Sequence, residues 1–336
     1  MPTIKDVARA ANCSTATVSR ALASPEKVTA STRERVNRAI AEVGYSPNVA
    51  ARNLRRSESR TIVILLPDIS NPFFSAIING MEDVAHSAGY QVLIGDCDLD
   101  PSRAEAYFSL LPTNQADGII LLTSDVPAVL VQQAHRRPDF PLVMACEFYD
   151  DIELPTVCID NFAAARHAID YLQSLGHSRI GSISGPLLNP ICRERVKGYQ
   201  AAMKDAGQTL AEPWMREGDF SFHSGYQQGL QLLEDAANRP TAVFCHSDEM
   251  AIGVLKAARQ LDLDVPGDLS VIGFDNIGFS EYCEPELTTI SQPRNDIGQQ
   301  AMKNLLDIIG GKQVAARQIL STQLIVREST GRAPTV

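Results

Sequence analysis

The chain lacks the residue patterns that hold metals or covalent intermediates. Its seven cysteines (Cys13, Cys97, Cys146, Cys158, Cys192, Cys245 and Cys283) are scattered with no C-x-x-C pair, and an odd count does not close a disulfide framework. They read as buried thiols of a reducing compartment. The six histidines are equally dispersed, with no H-E-x-x-H and no Cys/His cluster, so neither a metal nor a cofactor is expected. Also missing are G-x-S-x-G, a P-loop and a G-x-G-x-x-G that follows a strand, which removes the usual enzyme readings of an α/β chain. No apolar run approaches the roughly 18 residues that a membrane span needs, and Met1-Pro2-Thr3 runs directly into a helical pattern without a secretory leader. A cytoplasmic protein with no membrane partner is expected.

Positive charge is scarce overall, since the 336 residues total −10, but the deficit is uneven. Met1 to Arg60 carries 11 Lys and Arg against 5 Asp and Glu, a net +6, which leaves −16 for the remainder. A basic head on an acidic body suits a module that meets phosphates while the body avoids indiscriminate contact with nucleic acid.

The head has helical punctuation at short intervals. Thr3 is placed to cap a first helix with Asp6 at its third position, and Ile4, Val7, Ala8 and Ala11 share one face. After an Asn12-Cys13 turn, Ser14 caps a second helix that leaves Thr15, Ala16, Thr17 and Arg20 near its exposed start and turns Val18, Ala21 and Leu22 inward. A third amphipathic helix near Ser31 to Val43 closes the core with Val36, Ala39, Ile40 and Val43. This spacing fits a helix-turn-helix. In a major groove, Arg20 would form a bidentate pair with guanine and Ala16 would touch a thymine methyl. The competing reading is an ordinary helical hairpin with a solvated Arg. From Tyr45 to Arg56, Ser46 as cap, Pro47 at the first helical position and cations including Arg55 at the end outline a short helix, about 47–56. It is too short to be stable alone in water, so its folding would be coupled to DNA, with Leu54 as an apolar wedge for the minor groove. A plain interdomain linker is the alternative.

From Arg60 onward, short apolar runs alternate with amphipathic helical stretches: Thr61 to Leu66, Gln91 to Ile94, Gly118 to Leu122, Pro141 to Met144 and Thr156 to Ile159. Continuous apolar strands between helices predict a parallel sheet buried on both faces. The order restarts at Ser178-Arg179-Ile180-Gly181, which parallels Ser59-Arg60-Thr61-Ile62. Ile78-Asn79-Gly80-Met81 likewise has a counterpart in Val196-Lys197-Gly198-Tyr199. Two similar α/β lobes are expected, with a ligand enclosed between loops at the carboxyl ends of their strands. Those loops hold Asp68, Asn71, Phe73 and Phe74; Ser124 and Asp125; Arg195; Asp219 and Phe220; Ser247 and Asp248; and Phe274, Asp275 and Asn276. Aromatic faces, carboxylates and one arginine suit a neutral, hydroxyl-bearing ring compound. Taken singly, Phe73 and Phe74 fit core or dimer contacts, and Asp248 and Asp275 fit helix caps.

Seven segments taken together resemble the lactose-repressor (LacI/GalR) family of bacterial transcription regulators over almost the whole chain. They are Thr3-Ile4-Lys5-Asp6-Val7-Ala8, Ser14 to Arg20, Gly44-Tyr45-Ser46-Pro47-Asn48, Asp160-Asn161, Pro240 to Phe244, Ser270 to Asn276 and Leu287 to Ile290. The resemblance implies a helix-turn-helix domain with hinge helix over 1–57 and a two-lobed, periplasmic-binding-protein-like effector and dimerisation domain over 58–336. Its N-lobe would span about 60–160 and 293–319, and its C-lobe about 162–290 and 322–330. It further implies a homodimer or tetramer on near-palindromic operator DNA, and the lack of a long heptad segment after Arg327 favours the dimer. Carried over by position, Thr15, Ala16 and Arg20 become base readers, Leu54 the wedge, and Tyr45 and Asn48 backbone contacts. Thr17 and Arg55 lie on the same DNA-facing elements. Phe73, Phe74, Arg195, Phe220, Asp275 and Gln292 become contacts to a small-molecule effector, with Asp125, Ser247 and Asp248 close by.

Ile94 to Cys97, Glu153 to Val157, Pro190-Ile191-Cys192, Cys245 to Asp248 and Gln292-Pro293-Arg294 are most similar to the family's cytidine-responsive branch. That implies a nucleoside effector such as cytidine, repression in the free state, release of DNA by the effector, and room for a cooperating activator protein. Asn189 and Ile191 stand where the purine-responsive branch has an Arg and a Thr, which disfavours a purine corepressor. A sugar or other metabolite is the alternative effector. A small-molecule binding protein without regulatory function is the alternative class.

Overall fold

The computed structural model describes residues 2–45, 58–98, 100–137, 140–208, 210 and 212–334. The chain divides into two compact units, Met1–Ser59 and Arg60–Val336. The short helix expected over about 47–56, with Asn48, Leu54 and Arg55, lies outside the described residues.

The first unit contains α1 (Ile4–Ala10), α2 (Thr15–Ala23) and α3 (Ala30–Val43). Thr3 donates to the Asp6 carboxylate from both its backbone N–H, at 2.9 Å, and its hydroxyl, at 2.7 Å, which fixes the start of α1. Asn12, in the left-handed region at φ 46°, turns the chain toward α2. The third helix begins slightly before the expected Ser31 because Thr29 caps it, accepting from Thr32 N–H. The core is small: Val7, Val18 and Val36 are fully buried, and Ala8, Ala11, Ala21 and Ala39 let the helices approach closely.

The second unit is built on two six-stranded sheets. The first contains β1 (Thr61–Leu66), β2 (Gln91–Asp96), β3 (Gly118–Leu121), β4 (Leu142–Ala145), β5 (Thr156–Ile159) and β11 (Arg317–Leu320), in the order β11-β5-β4-β3-β1-β2. The second contains β6 (Ile180–Ser184), β7 (Met215–Glu217), β8 (Ala242–Cys245), β9 (Ser270–Asp275), β10 (Thr288–Ser291) and β12 (Gln323–Ile325), in the order β12-β10-β9-β8-β6-β7. All described pairings are parallel except β10 with β12. The helices are α4 (Phe73–Ser87), α5 (Pro101–Phe108), α6 (Ala128–His135), α7 (Asn161–Ser174), α8 (Pro190–Asp205), α9 (Phe222–Leu233), α10 (Asp248–Gln260) and α11 (Arg294–Ile309).

Strand β1 shows why the apolar runs are continuous. Ile62, Ile64 and Leu66 join one core cluster, Val63 and Leu65 join the cluster on the opposite face, and all five are fully buried. Alternation disappears because both faces are covered. Each such side chain contributes roughly 1.5–3 kcal/mol relative to exposure. The repeat has a packing cause as well. A Cβ at Gly80 of α4 would strike the Asn295 carbonyl of α11, and one at Gly198 of α8 would strike the Phe162 carbonyl of α7. Each glycine therefore permits backbone contact between neighbouring helices. No described helix is long and apolar enough to cross a membrane.

Candidate functional site

On the head, Ser14 holds the first turn of α2 by accepting from Thr17 N–H at 3.1 Å. Thr15, Ala16 and Arg20 are exposed along that helix, while Val18 and Ala21 face the core. Thr17 is half-buried, its hydroxyl 2.9 Å from that of Ser14, so part of its hydrogen-bonding capacity serves the cap. Tyr45 packs against the small core, its N–H donating to the Ile40 carbonyl. The polar N-terminal face of α2 is thus presented on a scaffold that does not depend on it.

In the second unit the functional candidates collect where the strands of both sheets end. Arg195 of α8 is buried, its Nε donates to Asn161 Oδ1 at 2.8 Å, its Nη1 donates to the His246 carbonyl at 2.5 Å, and its guanidinium lies 3.7 Å from the centre of the Phe274 ring. Beside it, Asp275 at the end of β9 accepts from Gln292 Nε2 at 2.6 Å. Arg294, at the start of α11, donates to the carbonyls of Phe73 at 3.3 Å and Asn276 at 2.7 Å, so it ties the start of α4 to the end of β9. Glu147, just past β4, accepts from Ser124 N–H at 2.5 Å and from Asn189 Nδ2 at 2.7 Å. This last bond joins loops that follow strands of different sheets.

Several of these loops bend through backbone conformations that side-chain-bearing residues rarely adopt. Cys146 and Phe220 lie at φ 69°, Asp275 at φ 111° and Asn276 at φ 55°. Such positions cost about 1–3 kcal/mol each and persist only where the surroundings over-determine them. Here the over-determination comes from the buried polar contacts, together with the Phe220 ring, which lies so close over Gly185 that a side chain there would collide with it.

Burial raises four carboxyl groups of this region, Asp248 well above the usual carboxylate range among them. It pushes Asp275 up to about 6, against the pull of Arg195, the Gln292 hydrogen bond and Arg294. It pushes Glu147 up to about 7, against the hydrogen bonds from Ser124 and Asn189, with Asp125 adding to the rise. Glu249, near the start of α10, rises to about 8 through burial and the nearby Asp275 charge, opposed by its own backbone N–H and the Ser247 hydroxyl nearby and, less, by Arg294. Neither Glu249 carboxylate oxygen has a hydrogen-bond partner among the described residues. Arg195 is itself lowered by desolvation, an effect Asp275 counteracts. The region holds buried acids balanced by two arginines and, among the described residues, no cluster that could hold a metal ion.

Arg195, Asp275 and Gln292 come together as one polar network with Phe274 as its floor. Phe73 is half-buried and meets Phe74 edge-on at 5.1 Å, whereas Phe74 is 7% exposed and belongs chiefly to the core. Phe220 is half-buried. Ser247 caps α10 by accepting from Met250 N–H at 3.2 Å. Asp248 is fully buried, and its two oxygens accept from Ile277 N–H at 2.8 Å and the Thr289 hydroxyl at 2.6 Å, so it braces the end of β9. Asp125 is exposed and accepts from the Thr123 hydroxyl at 3.0 Å. The sequence reading did not single out Glu147, Asn161, His246, Glu249 or Arg294 as site residues. Glu147 follows a recognised strand directly, so the rule of inspecting every strand-end loop reaches it; burial of Glu249 on a helix leaves no local signal.

Two family models match. Residues 3–48 match the model of bacterial regulatory proteins of the lacI family, and residues 169–330 match a periplasmic binding protein-like domain. The chain is 47% identical over 334 residues to the HTH-type transcriptional repressor CytR of Escherichia coli (strain K12), covering 99% of this chain and 97% of that protein. It is 34% identical over 335 residues to the HTH-type transcriptional repressor PurR of Photobacterium profundum, covering 98% of each. Among solved structures, the lac repressor dimer bound to operator and the anti-inducer ONPF superposes with a TM-score of 0.88 at 28% identity, over 98% of this chain and 99% of that one. These relatives are regulators rather than enzymes, and the three-helix head followed by two parallel α/β sheets is the architecture that the resemblance implied. This protein belongs to the LacI family of bacterial transcriptional repressors.

Proposed function

We propose that this repressor binds near-palindromic operator DNA as a homodimer and releases it when a nucleoside, cytidine above all, occupies the cleft between two lobes. In this reading residues 1–57 form the DNA-binding domain. The N-lobe comprises about 60–160 and 293–319, and the C-lobe about 162–290 and 322–330. The cleft carries the reading most directly: Asp275, Gln292 and Arg195 supply buried acceptors and donors over the Phe274 face, as a hydroxylated ring ligand needs. The resemblance of Cys245 to Asp248 and of Gln292-Pro293-Arg294 to the family's cytidine-responsive branch supports a nucleoside over a sugar.

Thr15, Ala16, Thr17 and Arg20 are the proposed readers of the major groove, with Tyr45 and Asn48 on the phosphates, Leu54 as wedge and Arg55 beside it. The homodimer accords with an exposed aromatic group on the acidic body, Phe222 and Phe279 at 6.1 Å with Tyr282 87% exposed, a surface that a second copy would cover. Three contacts tie the proposed lobes together: Glu147 with Asn189, Asp150 with Arg193, and Arg294 with Asn276. An effector that binds between the lobes changes DNA affinity only by its differential affinity for two arrangements of these contacts. A cytoplasmic site of action and a cooperating activator protein complete the reading.

Thermal-shift screening of the full-length protein against nucleosides, nucleobases and sugars tests it. Selective stabilisation by cytidine is expected. Stabilisation by a sugar alone would overturn the effector assignment and leave the family membership intact.

A further inference from the structure

The cleft contains two carboxylate–carboxamide pairs in different electrostatic settings. Asp275 with Gln292 lies within reach of two cations, Arg195 and Arg294. Glu147 with Asn189 bonds to no cation among the described residues: the groups that weigh most on Glu147 are the Ser124 and Asn189 donors and the acidic Asp125, with Arg195 acting on it only through the longer-range charge interaction. The first pair, with its arginines, can both accept from and donate to ligand hydroxyls. The second is an acceptor-rich pole, in which only one of the roughly two lone-pair directions on each Glu147 oxygen is used. Asn189 keeps a free amide hydrogen beside it, because its Oδ1 is committed to Ile191 N–H at 3.1 Å and caps α8.

An acceptor adjoining a donor is complementary to a base edge that carries an amino group next to an unprotonated ring nitrogen. Cytosine has that edge. Uracil inverts it, placing a carbonyl oxygen where the amino group was and an N–H where the bare nitrogen was. Against uracil, the carboxylate form of Glu147, which prevails above about pH 7, would set two acceptors face to face in a buried site, where an unpaired polar group is costly. Resting on the nucleoside reading above, we infer that Glu147 and Asn189 select the base: Glu147 accepts from the exocyclic amino group, Asn189 donates to the adjacent ring nitrogen, and the ribose hydroxyls meet Asp275, Gln292 and Arg195. Ligand entry then exchanges the direct Glu147–Asn189 bond between the lobes for a bond made through the base, which couples base identity to the closure of the cleft.

The test is calorimetric titration of the full-length wild type, Glu147→Gln and Asn189→Ser with cytidine, uridine and 2-pyrimidinone riboside, which keeps the ring nitrogen and lacks the amino group. Serine retains a helix cap at 189 while withdrawing the amide donor. The wild type is expected to prefer cytidine to both analogues by about tenfold or more, in line with one good bidentate pair. Both variants are expected to bring the cytidine-to-uridine ratio to within about threefold of one while keeping the wild-type circular-dichroism spectrum and a cooperative thermal transition, the folding control; this follows from the loss of the bidentate match. A wild-type ratio that survives in Glu147→Gln overturns the assignment of Glu147 and leaves the nucleoside reading standing. Absence of nucleoside binding to the wild type overturns the nucleoside reading, and this inference with it.

Discussion

The head and the body place the proposed functional side chains in opposite environments. On the head, Thr15, Ala16 and Arg20 are exposed on a helix whose stability derives from a cap and a few buried valines and alanines. In the body, Arg195, Asp275, Gln292 and Glu147 are all at least nine-tenths buried and bonded to one another or to neighbouring loops. The difference has a physical consequence. Exposed readers can change without disturbing the fold, so the head separates affinity from stability. Buried polar groups carry desolvation costs that only their partners offset, so in the body binding, stability and protonation are linked.

The largest separation between the two regions is expected from Arg195→Ala. Removing the guanidinium leaves Asn161 and the His246 carbonyl without their buried donor and takes away a charge that acts on Asp275, and the loss of unfolding free energy is expected at roughly 3–5 kcal/mol. Chemical denaturation of the full-length protein measures it, and the same variant is expected to lose its response to effector. Unchanged stability with a full response would show that the polar network lies outside the ligand path.

The next effect is a pH dependence confined to the body. Asp275, Glu147 and Glu249 have folded values of about 6, 7 and 8, raised from 3.8, 4.5 and 4.5, with burial as the first cause in each case. A carboxyl group raised on folding contributes stability that is fully present below its unfolded value and is lost as pH rises through its folded value. The carboxyl contribution is therefore expected to decline from about pH 4 to about pH 8, opposed below about pH 6.5 by His177 and His246, whose burial lowers them so that they add stability as pH rises; the net fall of the body's thermal midpoint is expected between about pH 6.5 and about pH 8. Glu249→Gln removes the steepest part of that decline because neither oxygen of Glu249 has a partner to lose among the described residues. It is expected to raise stability by a few kcal/mol at most at pH 8 and to change little at pH 5. A midpoint that rises between about pH 6.5 and about pH 8, or a variant with no gain at pH 8, would contradict the electrostatic account of these buried groups.

The smallest change in stability is expected on the head. Arg20→Ala should leave the thermal midpoint where it is and cost about 1–3 kcal/mol of discrimination at one base pair of each half-site, as selection from randomised duplexes would report. A drop in the midpoint would place Arg20 in the scaffold rather than at the interface.

The sequence yields these two regions unequally. Capping residues at Thr3 and Ser14 and the helical spacing that follows them have local causes and local effects, so the described part of the head is readable in a line. The strand β1 and the repeat through Gly80 and Gly198 are equally readable, because burial on both faces and helix contact dictate residue type directly. The cleft is readable only in part. Arg195, Asp275 and Gln292 could be placed on it by resemblance, but Asp248 is an acid at a strand end whose oxygens turn out to be occupied by Ile277 and Thr289. Glu147 acquires its meaning from Asn189, forty-two positions along the chain, and no local pattern connects them. Charged residues in loops look solvated until the fold buries them.

The most direct test of a ligand-controlled repressor is the operator affinity of the full-length protein with and without saturating cytidine, measured by fluorescence anisotropy on duplexes that the protein itself has selected. The account predicts tight, sequence-specific binding in the free state and weaker binding with cytidine, while uridine leaves the affinity unchanged. Operator affinity that is unaffected by cytidine, or strengthened by it, would contradict the claim.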